Sequence, residues 1–437
     1  VRLVAITPSR HDTEVVADRR RSGGQVATRR GTNLGRVADF NESVILDAIR
    51  TSEAGMSRVE LTQLSGLSAQ TVSNISRRLL EQGLVTEAGK ERSANGKPRT
   101  LLKLRADSRY ALGIHVDPAM ITVVLLDLLG TVVSHRRVTP PETLDPAEVV
   151  DMISAEAEAV IVDAGVDRKL VLGLGLAVPG PLDRELGIVL RSPHMPAWRH
   201  VNLHDQLEER LHLSVEIDKD VVAAAIGERW AGSTSQSAHF LFFYFGTGIG
   251  VGLVSEDRVI RGVSGNAGDI GMMPVAGDPD RVEDGIPETY LHEASLPRTL
   301  LQRAQARGVL PPDLRYDHPS ELAVAFAALT DAAEGGDAIA AEILDRAAQR
   351  IAETCVTLSN LLDVDTVVLG GALWDRVSAR FLPLVADTLR STALTAELHH
   401  VDVVTTPLGE DVAAIGAACL VLDRVFAPRA SSMSLEA

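Results

Sequence analysis

Five polar residues within one short stretch, Gln70, Thr71, Ser73, Asn74 and Arg77, carry the clearest chemistry in this chain. The amide groups of Gln and Asn can each pair with adenine through two hydrogen bonds in the major groove. An arginine farther along the same helix holds phosphate and fixes register. Between them Val72, Ile75, Leu79 and Leu80 recur at helical spacing, so the polar set points outward from the N-terminal half of a helix running to about Gln82. Ser68 stands at its start, and Arg78 follows Arg77. Downstream, Asn95-Gly96-Lys97-Pro98-Arg99 reads as a stiff cationic tip, thin enough for a minor groove.

These groups need a frame. Ser57 and Glu60 form a Ser-x-x-Glu capping signature that opens a short helix, with Val59, Leu61 and Leu64 expected to face inward. Ser65-Gly66-Leu67 is a tight turn into the recognition helix, and Val44, Ile45, Ala48 and Ile49 make an apolar helical face upstream. After Gly83, residues 84–86 and 100–104 read as the arms of a hairpin, or wing. A three-helix scaffold for protein contacts has the same helical spacing. Helix, wing and positive charge in one short segment favour DNA.

Charge supports that division. The 437-residue chain has a net charge of -16, yet residues 1–105 hold 18 Lys and Arg against 11 Asp and Glu, and the remainder holds 25 against 48. A basic front on an acidic body suits DNA held at one end only. Residues 1–36 are polar and Arg-rich with weak periodicity, and are expected to form a mobile arm. There is no apolar run long enough to span a bilayer and no leader-like segment, so a cytoplasmic location and no membrane partner are expected. Cys355 and Cys419 lie in apolar helical surroundings and are expected to be buried free thiols.

The body begins near Ser108. Residues 111–116, 121–127 and 131–138 read as successive strands, followed by a helix over 147–164 and a strand over 170–177. A strand at 215–217, a helix at 221–230, a strand at 240–245, a long helix at 338–362 and a strand at 366–369 continue the alternation. Glycine turns at strand ends, among them Gly246-Thr247-Gly248-Ile249-Gly250, point to a layered α/β body.

Several motifs in this order resemble the ROK family (repressors, open reading frames and kinases) over about residues 41–422. They are Gly173-Leu174-Gly175-Leu176-Ala177-Val178-Pro179-Gly180-Pro181, Ser192-Pro193-His194-Met195-Pro196-Ala197-Trp198, the glycine loop continuing to Gly252, Ala267-Gly268-Asp269-Ile270-Gly271 and Val368-Leu369-Gly370-Gly371. The resemblance implies a winged helix-turn-helix joined to a two-lobed α/β body of the actin-like ATPase, sugar kinase-like class. It also implies that Asp220 stands where the kinases place a catalytic base, a role a carboxylate can play toward a sugar hydroxyl.

Departures from the family pattern are equally informative. The kinases' first hairpin turn resembles Asp-Gly-Gly-Thr and offers amides to phosphate; here it is Asp117-Pro118-Ala119-Met120. Proline has no N–H to offer, and the glycines that permit close approach are gone. No useful kinase activity is expected, and the second glycine loop reads as a tight turn. Lys219 and Val222 replace both flanking Asn residues; Lys219 either meets an acidic ligand group or pairs with Asp269. His194 replaces a sugar-contacting Asn, Met272 a zinc-binding His, and Glu288, with Glu293 in competition, takes the place of a sugar-binding Glu. His292 and Glu293 are expected to form a surface pair. The zinc-site cysteines are missing from residues 278–292, so no metal or cofactor is expected.

The expected organisation is an arm over 1–36, a winged helix-turn-helix over 37–106 and an effector and oligomerisation body over 107–437. The partners are a double-stranded DNA operator, a sugar effector meeting His194, Lys219, Asp220, Asp269 and Glu288, and further copies of the chain in a dimer or tetramer. Sugar closing the lobes would alter the spacing of the DNA heads. The rivals are an active ATP-dependent sugar kinase with a DNA head, and a regulator with no effector.

Overall fold

The computed structural model describes residues 34–91, 99–192, 195–232, 234, 237–275, 286, 288–394 and 398–426. Helix α1 (Leu34–Arg50) opens the described chain, so the last three residues assigned to the arm belong to it. Strand β1 (Met56–Ser57), helices α2 (Arg58–Ser65) and α3 (Ala69–Glu81), and strands β2 (Val85–Glu91) and β3 (Arg99–Leu104) complete a head of three helices and a small sheet. In that sheet β3 lies between β1 and β2, antiparallel to both. The short strand β1 has no apolar alternation to announce it, and only the pairing with β3 defines it.

The capping signature forms as expected. Ser57 accepts from the Glu60 N–H, while the Ser57 N–H and hydroxyl both donate to Glu60 Oε2 at 2.8 Å. Gly66 ends α2 with φ +67, a left-handed cap that glycine adopts without strain. Leu61 is fully buried, but Val59 and Leu64 are not the inward residues expected: they are 43% and 66% exposed. At about 100° per residue Val59 sits nearly opposite Leu61, and so short a helix buries a single row. Ser57→Ala should cost about 1 kcal/mol of unfolding free energy. The Ser57 N–H and hydroxyl hold the Glu60 carboxyl below its ordinary range. That contribution is fully present above the unfolded value of roughly 4.3, and is lost as pH falls through the lower folded value. Urea titrations of variant and parent should therefore converge in acid; a gap that widened there would contradict the cap.

The body holds two five-stranded sheets with one layout. In the first, β4 (Tyr110–Val116), β5 (Ile121–Asp127) and β6 (Val132–Val138) form an antiparallel meander. Helix α4 (Pro146–Asp163) leads to β7 (Val171–Val178), parallel to β4. A side sheet of β8 (Leu182–Asp183), β9 (Ile188–Ser192) and β10 (Met195–Asn202) and helix α5 (Leu203–Leu211) precede β11 (Val215–Lys219), parallel to β7, and helix α6 (Asp220–Ala231). The second sheet repeats this: β12 (Phe240–Phe245), β13 (Ile249–Ser255) and β14 (Arg258–Val259) form a meander. Helices α7 (Leu291–Ser295), α8 (Pro297–Ala306), α9 (Pro319–Glu334) and α10 (Ala338–Leu362) lead to β15 (Thr366–Gly370), parallel to β12. Helix α11 (Ser378–Thr392) leads to β16 (Asp402–Thr405), parallel to β15, and helix α12 (Val412–Phe426) closes the unit. Strand orders β6-β5-β4-β7-β11 and β14-β13-β12-β15-β16 thus correspond place for place.

Helices α6 and α12 occupy equivalent places in the two repeats and pack on one another. A Cβ on Gly416 would lie 1.9 Å from the Ala223 carbonyl oxygen, and one on Gly175 would lie 1.7 Å from the Ala417 oxygen. Glycine is what lets helix meet helix, and helix meet sheet, at backbone contact. The core around α6 and α12 runs on without a break into the head, through Ile45, Leu46, Ile49, Leu104 and Phe426. Both cysteines are buried free thiols; burial pushes the Cys355 thiol up to about 12 and raises that of Cys419 as well. Among the described residues no helix is long and apolar enough to cross a membrane.

Candidate functional site

The head presents one polar ridge. Gln70, Ser73, Asn74 and Arg77 are exposed on α3, while Val72, Ile75, Ser76 and Leu79 form its buried face. Gln70 Nε2 donates to Asn74 Oδ1 at 3.2 Å, and Arg77 Nη2 donates to the same oxygen at 3.3 Å. The i, i+4, i+7 spacing makes this row, and its polar ends hold one another. Ser68 and Thr71 have a different place. Ser68 caps α3 by accepting from the Thr71 N–H, and their hydroxyls are 2.8 Å apart. Arg78, one residue round the helix from Arg77, keeps 43% of its side chain exposed and forms an ion pair with Glu42 of α1. It braces the helices. Arg99 opens β3, opposite Glu91, and its charge acts on Glu60. Lys97 lies outside the described residues.

The body's site is a cavity of about 130 Å³ lined by Gly180, Lys219, Asp220, Tyr244, Gly248 and Asp269 among others. Sequence reasoning placed three of these together. Asp220 begins α6, and its Oδ1 accepts from the Val221 N–H at 2.8 Å. Burial holds its carboxyl above the usual carboxylate range, opposed by the nearby His115 and Lys219. Lys219 does not pair with Asp269. Its stem lies along Gly180, and Nζ donates to the Asn266 and Ala267 carbonyls, each at 3.3 Å. Asp269 follows Gly268, whose φ of +93 and 1.9 Å clearance to the Val251 oxygen exclude any side chain.

Two residues expected nearby are elsewhere. Glu288 is buried beneath Arg303, Arg346 and Arg350, with Oε1 2.9 Å from Arg346, and does not line the cavity. It organises the helical layer. His292 and Glu293 do not pair either: His292 Nδ1 is 2.8 Å from the Gly271 carbonyl oxygen, and Glu293 accepts from the Thr289 and Tyr290 N–H groups. His194 and residues 278–285 lie outside the described residues.

The hairpin turns of the two repeats meet across the cleft. Asp117 Oδ1 accepts from the Ala119 N–H at 2.8 Å, and the Asp117 carbonyl accepts from the Met120 N–H at 3.1 Å. Asp117 Oδ2 accepts from the Thr247 hydroxyl at 2.7 Å. Every N–H of the Pro118-Ala119-Met120 turn is therefore absent or already engaged. In the second loop the Gly246 N–H donates to the Gly248 carbonyl, closing the tight turn expected between β12 and β13.

Sequence reasoning passed over two side chains here. His115 and Tyr244 are 4% and 2% exposed, with rings edge-on at 6.3 Å. His115 Nε2 has no hydrogen-bond partner. The Tyr244 hydroxyl lies near the Ala372 amide without a well-formed hydrogen bond, and its own proton has no acceptor. Burial, then Asp117 and Asp220, raise the Tyr244 hydroxyl well above its ordinary value. A lone polar group in each of two apolar strands was the available signal.

Two like sheets around a cleft, behind a helical head, define a two-lobed α/β body of the actin-like ATPase class. The ROK family pattern matches residues 111–424, and the chain belongs to that family. It is 26% identical over 394 residues to a putative xylose repressor of Caldicellulosiruptor sp., covering 90% of this chain and 97% of that one. Its fold is similar to that of a ROK family transcriptional regulator homologous to the E. coli MLC protein, with TM-score 0.72, 20% identity, and 90% and 97% of the two chains covered. It is also similar to a ROK family glucokinase from Streptomyces griseus in complex with glucose and AMPPNP, with TM-score 0.57 and 23% identity. That likeness covers 71% of this chain and 98% of the glucokinase.

Proposed function

We propose that this chain is a sugar-responsive transcriptional repressor without kinase activity, binding DNA as a dimer or tetramer through a winged helix-turn-helix head. The observation that carries the loss of catalysis is the Asp117 latch. Phosphoryl transfer depends on positioning phosphate and metal, and the first turn has no amide left to do it. The Gln70–Asn74–Arg77 ridge supports the DNA reading, with base-reading amides ahead of a phosphate-holding cation. A head on each of two symmetry-related copies would read a pseudo-palindromic operator. The family relation to a putative xylose repressor supports a sugar as effector.

Helix α6 supports a coupling route between cleft and head. Helix α6 begins with Asp220 in the cleft and ends at Trp230 and Ala231. The head's Arg50 donates to the Trp230 carbonyl at 2.8 Å and stacks 4.2 Å over its ring. One rigid helix of 12 residues, about 18 Å long, thus joins effector pocket and head. Selection of bound sequences from random DNA, with and without xylose and glucose, tests the reading. A two-fold related site should emerge, and one sugar should change its occupancy. ATP incubated with either sugar should give no sugar phosphate. Failure to enrich any sequence, or steady turnover of ATP into sugar phosphate, would overturn it.

A further inference from the structure

Another cavity, of about 350 Å³, lies on the side sheet. It is lined by Arg191, Ser192, Pro196 and Arg199, none of which lines the cavity between the lobes. Arg191 on β9 and Arg199 on β10 are register partners, and both are exposed. Directly opposed side chains leave the same face of a sheet with Cβ atoms roughly 5 Å apart, where like charges destabilise the pairing. The body has carboxylates to spare, with 48 Asp and Glu against 25 Lys and Arg over residues 106–437. Arg136, Arg137, Arg168 and Arg210 each hold at least one. Among the described residues Arg191 and Arg199 hold none, and no acidic side chain lines the cavity.

The backbone departs from regular pairing to hold this arrangement. Between the pairs Ser192–Met195 and Arg191–Arg199, one residue step on β9 faces four on β10. Trp198 anchors the bulge: it is fully buried, and its Nε1 donates to the Leu144 carbonyl at 2.8 Å. Pro196 and Ala197 are left exposed, and Pro196 walls the cavity. On the other side of Arg199, His200 takes a φ of +55, a left-handed conformation that a residue with a side chain adopts at a cost. Ser192 is 3% exposed, with its hydroxyl unpartnered, and gives the cavity a floor without negative charge. Bulges re-aim side chains beside functional sites. A guanidinium presents a planar fork of N–H groups that fits a phosphate bidentately. Two of them bring two positive charges, which match a phosphate monoester at about -1.5 to -2.

We infer that this cavity binds the phosphate group of a small ligand between the Arg191 and Arg199 guanidiniums, at a site separate from the cleft. Nothing in this depends on what the cleft holds.

The test is thermal melting and calorimetry of the full chain at low salt, with inorganic phosphate, glycerol phosphate, and sodium chloride at matched ionic strength. At least one phosphate compound should raise the melting temperature where chloride does not. The tighter of the two identifies the source, free phosphate or a phosphorylated metabolite. Arg199→Glu should abolish the response. Its melting temperature without ligand should stay level or rise, because an opposed Arg–Glu pair replaces two like charges. Arg191→Lys should weaken phosphate roughly three- to tenfold, since an ammonium lacks the bidentate fork. It reads the site even if Arg199→Glu folds poorly. Arg77→Ala is the control for phosphate held by the DNA head and should keep the response. A response that chloride reproduces, or one that survives Arg199→Glu, would overturn the site; its loss in Arg77→Ala would then place the phosphate on the head. A drop in operator affinity in Arg199→Glu would also overturn it, by giving the arginine pair to the DNA backbone.

Discussion

Replacing Gln70 and Asn74 together by alanine should weaken binding to the specific operator by roughly 30- to 1,000-fold and leave binding to unrelated DNA almost unchanged. Each amide that pairs with a base edge contributes about 1–3 kcal/mol of discrimination. Their effects will not simply add, because Gln70 donates to Asn74 at 3.2 Å and each orients the other. The single substitutions should therefore together account for more loss than the double variant. Neither residue is charged, so the dependence of binding on salt should keep its slope. Arg77→Ala in the same assay should lower that slope by about one. Fluorescence anisotropy at several salt concentrations reads all of these. Unchanged operator affinity in the double variant would place base reading on another surface.

That prediction rests on a helix legible from residues alone, and the reason is physical. Val72, Ile75 and Leu79 repeat at the helical period because one side of α3 is buried and the other is wet. The same logic located β5, β12 and α10 at their observed bounds. It had no purchase on α12, which is apolar and buried all round from Val412 to Leu422. Nor could it find the repeat of the two sheets. That likeness lives in strand order, while the two equivalent turns, Asp117-Pro118-Ala119-Met120 and Gly246-Thr247-Gly248, share no residue pattern.

The cleft was legible to the extent that its chemistry sits in contiguous motifs. Lys219, Asp220 and Asp269 come together because β11 and the Gly268 turn end at the same place. Glu288 was drawn there by sequence order, yet three arginines from α8 and α10 claim it. Their positions depend on helix packing that no local pattern encodes. Tyr244 reaches the cleft, and His115 packs edge-on beside it, from the interiors of strands whose sequences read as plain core. Pro118 has no donor to give, and the structure adds a second cause: Asp117 takes both remaining amides of the turn, and its carboxylate also accepts from Thr247.

Arg50→Ala should disconnect the sugar from the DNA while leaving each binding event in place. The guanidinium of Arg50 donates to Trp230, stacks on its indole and pairs with Asp47 at 2.8 Å, so it clamps the end of α6 to α1. Its loss should cost about 2 kcal/mol of stability, from a charged hydrogen bond and a cation–π contact. In the parent, sugar should shift operator affinity by roughly 5- to 150-fold, the usual range for coupled sites. In the variant that shift should fall below about threefold, with sugar affinity and sugar-free operator affinity little changed. Linkage supplies an internal check, since operator DNA must alter sugar affinity by the same factor in the parent and must lose that influence in the variant. Arg50→Lys separates charge from geometry: an ammonium cannot form the planar stack, so it should restore stability better than coupling. A variant lacking the guanidinium but keeping the full sugar response would show that the signal reaches the head by another path, through the β3 and α12 contacts, and that α6 is only a strut.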